Sequence, residues 1–357
     1  MRRHIMLSGG GTLGPVTPLL AVAAEWRRRE PDVIFSWIGT PQGPERALVE
    51  AAKIPFYAMS SPKFDRTRVW SIPFVPFRMI RSCLVSLKFL RDLEPNMVMS
   101  AGAYVSVPLA WMAWLLRIPV WIHQLDVEPG MANKLMAPIA KRVSITWEAS
   151  MSAFSAEKTL VVGCMARKML RLGDRQTALE MFGFDANKPT VLVMGGSSGA
   201  QQINEVMSVI GRDLAMRANV LHITGKGKMS SALEGLGKHY VAQEFLGETM
   251  ADAYALADVV VARAGMGTIA ELALLAKPTL LIPLPGHQEL NAKTLEERKA
   301  ADVLWFVTPQ TCKQAIGRLL DRPEHREELA KNVRSIFPLN ADERIVHAAI
   351  ELLGDAA

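Results

Sequence analysis

Short runs of apolar, β-branched residues alternate along this chain with longer stretches whose apolar positions recur every three or four residues. The first pattern predicts buried strands and the second predicts amphipathic helices. In the first half the strands are expected at His4–Ser8, Val33–Ile38, Asn96–Ser100, Pro119–His123 and Val143–Thr146. Helices are expected between them at Pro18–Arg29, Pro76–Leu93, Val107–Leu116 and Gly130–Ile139. The second half repeats the scheme. Strands are expected at Thr190–Met194, Val220–Thr224, Val259–Ala262, Thr279–Ile282 and Val303–Phe306. Helices are expected at Gln201–Ala215, Met250–Ala257, Thr268–Leu275, Asn291–Ala301, Pro309–Leu320, Glu324–Phe337 and Ala341–Leu353. Strictly alternating strand and helix predicts an α/β fold with parallel sheets covered on both faces. The halves share a pattern but no sequence repeat. A boundary is expected near Gly163, after the strand-like Thr159–Val162, giving domains of 1–163 and 164–337.

Bulk properties narrow this picture a little. A chain of 357 residues, half of them hydrophobic, has material for two cores. Lys plus Arg outnumber Asp plus Glu by 41 to 35, and the pI is about 9.3. This excess suits phosphates, nucleic acid or anionic lipid and selects none of them. Three widely spaced cysteines, Cys83, Cys164 and Cys312, form no CxxC pair. A disulfide framework or zinc site is not expected, and a reducing cytosol fits. The apolar stretch Ile5–Leu7 is too short for a signal peptide. The longest apolar run, Val107–Leu116, falls short of the ~20 residues that span a bilayer.

Each half opens with strand, glycine loop and helix. The loops are Ser8-Gly9-Gly10-Gly11-Thr12-Leu13-Gly14 and Gly195-Gly196-Ser197-Ser198-Gly199-Ala200. Glycine permits close approach of a phosphate to the backbone, and the following helix offers unpaired N–H groups. Either loop alone reads equally well as a tight βα turn. Two of them, each opening a doubly wound half, predict phosphate-sized sites on two domains that face a central cleft. Neither loop has the GxGxxG form or a P-loop lysine, which argues against a dehydrogenase and an ATPase. A further loop, Gly102-Ala103-Tyr104-Val105-Ser106, follows the strand that ends at Ser100.

These stretches together resemble the peptidoglycan GlcNAc transferases, which make lipid II. The resemblance is carried by Gly10-Gly11-Thr12-Leu13-Gly14 with Pro18, by Gly102–Ser106, and by Ile118-Pro119-Val120 with His123 and Asn133-Lys134. It continues through Gly195–Ala200 with Asn204, then Phe245, Met250, Tyr254, Arg263, Gly265, Thr268 and Glu271, and ends at Pro283, His287-Gln288 and Asn291. It implies the GT-B fold, two Rossmann-like domains facing a cleft, with the closing helix at about 338–357 packed back on the first. It implies a first domain that binds a lipid-linked pyrophosphate and a second that binds UDP-GlcNAc. On the donor side it implies Glu271 at the ribose hydroxyls, Phe245 and Leu246 at the uracil, and Ser197, Ser198 and Gly199 at the phosphates. Arg167 is implied near the diphosphate and Gln288 at a sugar hydroxyl, with Asn291 beside it. Thr12, Gly14, Arg263, Gly265, Met266 and Thr268 complete the implied donor set. Gly10, Gly11, Gly102, Ala103, Tyr104 and Asn133 are the implied acceptor contacts. No cofactor is implied, and no DxD metal motif is present.

The chain departs from the family at the catalytic step. The first loop of the family ends in a histidine proposed as general base, and here Pro15 stands there. After His123 the family reads glutamate, glutamine, asparagine, and this chain reads Gln124-Leu125-Asp126. The acceptor hydroxyl has to lose a proton as it attacks. Asp126 is the expected base, with His123 as the alternative. Asp126 also reads as a turn or cap residue, and His123 as a satisfied histidine of an apolar strand.

Between Lys63 and Arg91, Phe64, Trp70, Phe74, Phe77, Ile80, Leu84 and Phe89 mix with Lys63, Arg66, Arg68, Arg78, Arg81, Lys88 and Arg91. This suits an anionic membrane surface, and equally a sheet-packed helix with a solvated basic face. No groove-reading or RNA-binding motif accompanies it, so nucleic acid is not an expected partner. The expected location is peripheral, on the cytoplasmic face of the cell membrane, where cell-wall synthesis proteins are further candidate partners. Two other readings stay open: a GT-B transferase with another acceptor or a UDP-GlcNAc epimerase, and a UDP-sugar binder without catalysis.

Overall fold

The computed structural model describes residues 2–62, 75–195 and 200–354. The chain divides into two compact units, Met1–Met165 with Pro338–Ala357, and Ala166–Phe337.

The first unit runs β1 (His4–Ser8), α1 (Thr17–Arg29), β2 (Ile34–Gly39), α2 (Glu45–Ala51), β3 (Phe56–Ala58), α3 (Val75–Leu93), β4 (Met97–Ser100), α4 (Ser106–Leu115), β5 (Val120–Gln124), α5 (Met131–Met136), β6 (Arg142–Ile145) and β7 (Thr159–Val161). All seven strands are parallel, in the order β3-β2-β1-β4-β5-β6-β7. The order reverses between β1 and β4, where the two βα loops diverge to opposite faces. One face is covered by α1 and the closing helix Ala341–Gly354, through Val22, Trp26, Ile345 and Val346 against Leu7, Trp37 and Trp121. The other is covered by α4 and α5, through Leu109, Ala110 and Met136 against Val98 and Ile122. The sequence of α1 shows why it forms. Pro18 sits in the first turn, Leu19, Val22, Ala23 and Trp26 recur on the buried face, and Arg27–Arg29 meet the negative end of the dipole.

The second unit runs α6 (Arg175–Phe182), β8 (Thr190–Met194), α7 (Gln201–Arg217), β9 (Asn219–Ile223), β10 (Tyr240–Gln243), α8 (Met250–Leu256), β11 (Val259–Ala262), α9 (Met266–Leu275), β12 (Thr279–Leu281), α10 (His287–Glu297), β13 (Asp302–Val303), α11 (Pro309–Asp321) and α12 (Pro323–Ser335). Its parallel sheet has the order β10-β9-β8-β11-β12-β13, with the reversal between β8 and β11.

Several elements differ from the sequence expectation for physical reasons. The edge strands β3 and β10 carry half-exposed residues and lack the continuous apolar run of the central strands. The short helices α2 and α6 have little periodicity to read. Helix α10 starts at His287 rather than Asn291, because Gly286 takes φ +98° and Glu289 reaches back to the Gly286 N–H at 3.0 Å. Strand β13 stops at Val303, and Phe306, expected at its end, is 83% exposed.

The turn after β4 holds a strained alanine. Gly102 has φ +100° and Ala103 has φ +102°, a region that costs a residue with a Cβ about 1–3 kcal/mol. Ala103→Gly is therefore expected to raise the stability of the first unit by about 1 kcal/mol, after the greater entropy of glycine in the unfolded chain is allowed for. Urea unfolding followed by tryptophan emission reports this unit, because every tryptophan except Trp305 precedes residue 166. An unchanged midpoint would show that the turn carries no strain.

Candidate active site

In the second unit the site candidates gather at the carboxyl ends of β8 and β11, which lie side by side with Met194 opposite Ala262. Of the glycine loop after β8, residues 196–199 lie outside the described residues, so the expected phosphate contacts Ser197, Ser198 and Gly199 are not described. The loop leads into α7, whose first-turn N–H groups and dipole favour an anion.

Glu271, on α9, is the hub. Its Oε1 accepts from Arg167 Nε at 2.9 Å and from Arg167 Nη2 at 2.7 Å. Its Oε2 accepts from Tyr254 Oη at 2.8 Å. Tyr254 is fully buried on α8, and burial followed by the neighbouring Glu271 charge pushes its phenol well above the ordinary range, so it stays a donor. The carboxylate is 13% exposed and the guanidinium 49%. Two residues 104 positions apart, one expected at the ribose and one at the diphosphate, thus form one pair. Arg167 takes both lone pairs of Oε1, while Oε2 keeps one for a further donor.

Arg263 follows β11 and is 5% exposed. It donates through Nη1 to the Ile282 carbonyl at 3.0 Å and through Nη2 to Gln202 Oε1 at 3.1 Å, while Nε finds no partner. Burial lowers its pKa. No carboxylate pairs with it among the described residues, so it leaves positive charge at the strand reversal, beside the first turn of α7. Asn291 is fully buried and donates to the Ala264 carbonyl at 3.2 Å. Gln288 accepts from the Leu284 N–H at 3.1 Å, and its Nε2 lies 3.7 Å from where a side chain on Gly265 would begin. Gly265 caps α9, in which Met266 and Thr268 are buried. Phe245 is 64% exposed and carries the Lys226 ammonium 4.7 Å from its ring centroid, whereas the Leu246 side chain is buried.

In the first unit three fully buried serines knit the loops at the β1–β4 reversal. Ser8 and Ser100 end the two strands opposite each other, and Ser106 opens α4. Ser106 Oγ donates to Ser8 Oγ at 2.9 Å, Ser8 Oγ to the Ile38 carbonyl at 3.1 Å, and the Gly102 N–H to Ser100 Oγ at 3.1 Å. The first glycine loop is filled from within. Glu45 is fully buried and accepts from the Gly11 N–H at 3.2 Å and the Thr40 N–H at 2.7 Å. A Cβ on Gly10 would meet its carboxylate at 2.2 Å. The Gly11 amide, expected at the acceptor, is therefore engaged by an internal carboxylate. Thr12 and Gly14 remain exposed on the same loop.

Gln124 and Asn133 are both buried and hold the turn after β5. Gln124 Nε2 donates to the carbonyls of Asp126 at 2.7 Å and Glu128 at 3.2 Å, and its Oε1 accepts from Asn133 Nδ2 at 2.7 Å. Asn133 Oδ1 is left without a partner and lies 3.7 Å from where a Gly102 side chain would start. Tyr104 is half-buried, and its carbonyl accepts from Ser61 Oγ. Asp126 is half-buried in this turn. His123 does not suit the role of alternative base. It is 2% exposed, its Nδ1 lies 2.9 Å from Ser144 Oγ, and its Nε2 is buried without a partner. Burial pushes its pKa down to about 4. It packs as a neutral strand histidine.

Sequence reasoning missed Tyr254 as a partner of Glu271, and it missed Glu45, Gln202 and Lys226. Only Lys226 left a legible signal, a lysine between two glycines directly after an expected strand. Among the described residues, no three His, Cys, Asp or Glu side chains gather as a metal site.

Residues 5–145 match the glycosyltransferase family 28 N-terminal domain, and residues 190–345 match the glycosyltransferase family 28 C-terminal domain. The chain is 35% identical over 337 residues to the UDP-N-acetylglucosamine–N-acetylmuramyl-(pentapeptide) pyrophosphoryl-undecaprenol N-acetylglucosamine transferase of Lachnoclostridium phytofermentans, covering 92% of this chain and 94% of that one. It is 36% identical over 362 residues to the transferase of the same name from Legionella pneumophila, covering 97% and 96%. Among solved structures, MurG of Acinetobacter baumannii superposes with a TM-score of 0.76 at 25% identity, over 98% of this chain and all of that one. The UDP-GlcNAc 2-epimerase of Neisseria meningitidis superposes with a TM-score of 0.70 over 98% of this chain and 100% of that one, but at 12% identity, a likeness of fold alone.

The burial of His123 sets a pH dependence. Its folded pKa of about 4 lies below the ordinary 6.5, so the unfolded chain takes up the proton first as pH falls. Stability is complete above about pH 6.5 and is lost as pH drops toward 4, about 2 kcal/mol from this group by pH 5. The tryptophan-detected urea midpoint should fall between pH 7 and pH 5, and His123→Phe should shrink that fall. An equal fall in the variant would remove His123 as its source.

Proposed function

The chain belongs to glycosyltransferase family 28, and from that membership we propose that it moves GlcNAc from UDP-GlcNAc to the muramyl 4-hydroxyl of lipid I with inversion, giving lipid II for peptidoglycan synthesis. It is a UDP-GlcNAc-dependent glycosyltransferase. The observation that carries this reading is identity of 34–36% to transferases of a single name over 92–97% of the chain.

The donor side fits the second unit. Glu271, held by Tyr254 and Arg167, presents one free lone pair, on Oε2, for a ribose hydroxyl. A ribose engaging Glu271 competes with Arg167, and the freed guanidinium suits the diphosphate. As the anomeric carbon–oxygen bond breaks, negative charge grows on the departing UDP. Arg167, the buried charge of Arg263 and the N-terminus of α7 stabilise it. Gln288 serves a sugar hydroxyl, and Asn291 holds the Ala264 backbone. The acceptor oxygen bonds to the anomeric carbon on the face opposite UDP, and its proton passes to the Asp126 carboxylate. Gln124 fixes the turn that carries Asp126. The acceptor pyrophosphate falls to the loop of Gly102, Ala103 and Tyr104, beside which Asn133 acts as a support, its Nδ2 donating to the His123 carbonyl and to Gln124 Oε1.

A lipid-linked acceptor calls for a membrane surface. On the described part of the basic stretch, Phe77, Ile80 and Leu84 of α3 are 74%, 59% and 63% exposed. They are accompanied by exposed Arg78, Arg81, Lys88 and Arg91. Trp114 and Leu115 of α4, which packs on α3, are exposed as well. Lys63, Phe64, Arg66, Arg68, Trp70 and Phe74 lie outside the described residues. No described helix is long and apolar enough to cross a membrane. These features support peripheral attachment to an anionic leaflet.

Labelled GlcNAc should pass from UDP-GlcNAc to a lipid I analogue, and Glu271→Ala should lower kcat/KM about 10²-fold. Donor binding without transfer would leave a UDP-sugar binder, and turnover without acceptor would point to epimerase or hydrolase chemistry. Asp126→Asn should lower kcat by about 10²–10⁴-fold, and full kcat in this variant would exclude it as the base. In flotation with phosphatidylglycerol vesicles, Ile80→Ser with Leu84→Ser should cut binding at least tenfold, or about 1.4 kcal/mol. Retention of binding by this double variant would place the membrane contact elsewhere.

A further inference from the structure

The loop after β9, Gly225-Lys226-Gly227-Lys228-Met229, is clamped on both of its polarities. Its backbone N–H side is held by one carboxylate. Glu244 Oε1 accepts from the Met229 N–H at 3.2 Å, and the loop amides around it hold its carboxyl below the ordinary range. Its carbonyls are taken by one carboxamide. Asn204 Nδ2 donates to the Thr224 carbonyl at 3.1 Å and the Lys228 carbonyl at 3.4 Å. That carboxamide is itself fixed in the core. His222, kept neutral by a burial-lowered pKa of about 4, donates from Nε2 to Asn204 Oδ1 at 3.1 Å, and its Nδ1 accepts from Tyr240 Oη at 2.8 Å. This tautomer follows from Asn204 spending its N–H groups on carbonyls. Gly225 at φ +94° and Gly227 at φ +69° flank the lysine and allow the loop its tight reversal.

The clamp has one exposed product. It sets the Lys226 ammonium over one face of Phe245, the residue that follows Glu244 in the chain. Glu244 reaches the loop backbone at Met229, and the Phe245 ring lies under the Lys226 side chain. A phenyl ring 64% exposed at the carboxyl edge of a sheet would turn freely on its own, and a cation on one face fixes it. The other face is a flat apolar platform suited to a planar heterocycle.

We propose that Lys226 is a positioning residue for the nucleobase of the donor, holding Phe245 so that the uracil stacks on the ring face opposite the ammonium, with Glu244 and Asn204 as the frame that places it. This rests on the UDP-GlcNAc reading above. It assigns a task to a lysine that no ion pair among the described residues uses, and it accounts for a carboxylate and a core histidine being committed to one loop.

The test measures binding of UDP and of inorganic pyrophosphate to the full chain by calorimetry, together with kcat and KM for UDP-GlcNAc. Lys226→Ala should weaken UDP about threefold and raise KM for UDP-GlcNAc by the same factor. It should leave kcat and pyrophosphate binding unchanged, and Lys226→Arg should restore the loss. Glu244→Ala should weaken UDP at least as much, and adding Lys226→Ala to it should cost nothing further. Equal loss of UDP and pyrophosphate in Lys226→Ala would overturn the proposal by making the lysine a phosphate contact. Unchanged UDP affinity, or failure of arginine to restore it, would overturn it as well. In those cases wild-type turnover leaves the transferase reading standing, whereas wild-type protein that binds no UDP would sink both.

Discussion

A buried polar group has to be hydrogen-bonded, and at the carboxyl edges of both sheets nearly every such group is committed to holding a loop. Glu45 fills the first glycine loop, and Ser8, Ser100 and Ser106 tie the turn after β4 to the end of β1. Gln124 and Asn133 hold the turn that carries Asp126. Asn204 and Glu244 grip the loop of Lys226, Asn291 holds Ala264, and Arg263 holds the chain after β12. Parallel strands place all these loops at one edge of each sheet. Satisfying the polar groups beneath them at that edge turns a row of loops into fixed platforms.

This separates residues that present chemistry from residues that hold it in place. Glu271, Arg167, Phe245 and Gln288 keep exposed or unsaturated groups, whereas Asn291, Leu246 and His123 have their side chains in the interior. Polar residues of a glycosyltransferase site look alike in a sequence whichever class they belong to. Burial sorts them, since a group that has lost its water and gained protein partners is costly to recruit for a substrate.

Charge is distributed unevenly between the units. Around the β8–β11 reversal stand Arg167, Arg263 and the N-terminus of α7, with Glu271 the acidic partner of Arg167. Around the β1–β4 reversal the first glycine loop holds an internal carboxylate, and the next turn along the sheet carries Asp126. The first arrangement suits a diphosphate that gains charge as it leaves. The second suits a hydroxyl that gives up a proton.

The sequence by itself determined the architecture. Central strands buried on both faces have to be apolar throughout, so β1, β8 and β11 occupy the bounds their apolar runs predict. The helical periodicity of α1, α7 and α11 is equally plain because each must cover a sheet. The order of the family-like loops was legible for the same reason, since each follows a strand. Edge strands β3 and β10, exposed on one side, escaped this logic. Only the tertiary structure decided which polar side chains meet. Glu271 finds Arg167 across 104 residues, Tyr240, His222 and Asn204 form one chain, and Glu45 enters the first loop. Such pairings depend on the strand order and on which face each helix covers, and no local pattern of residues encodes either.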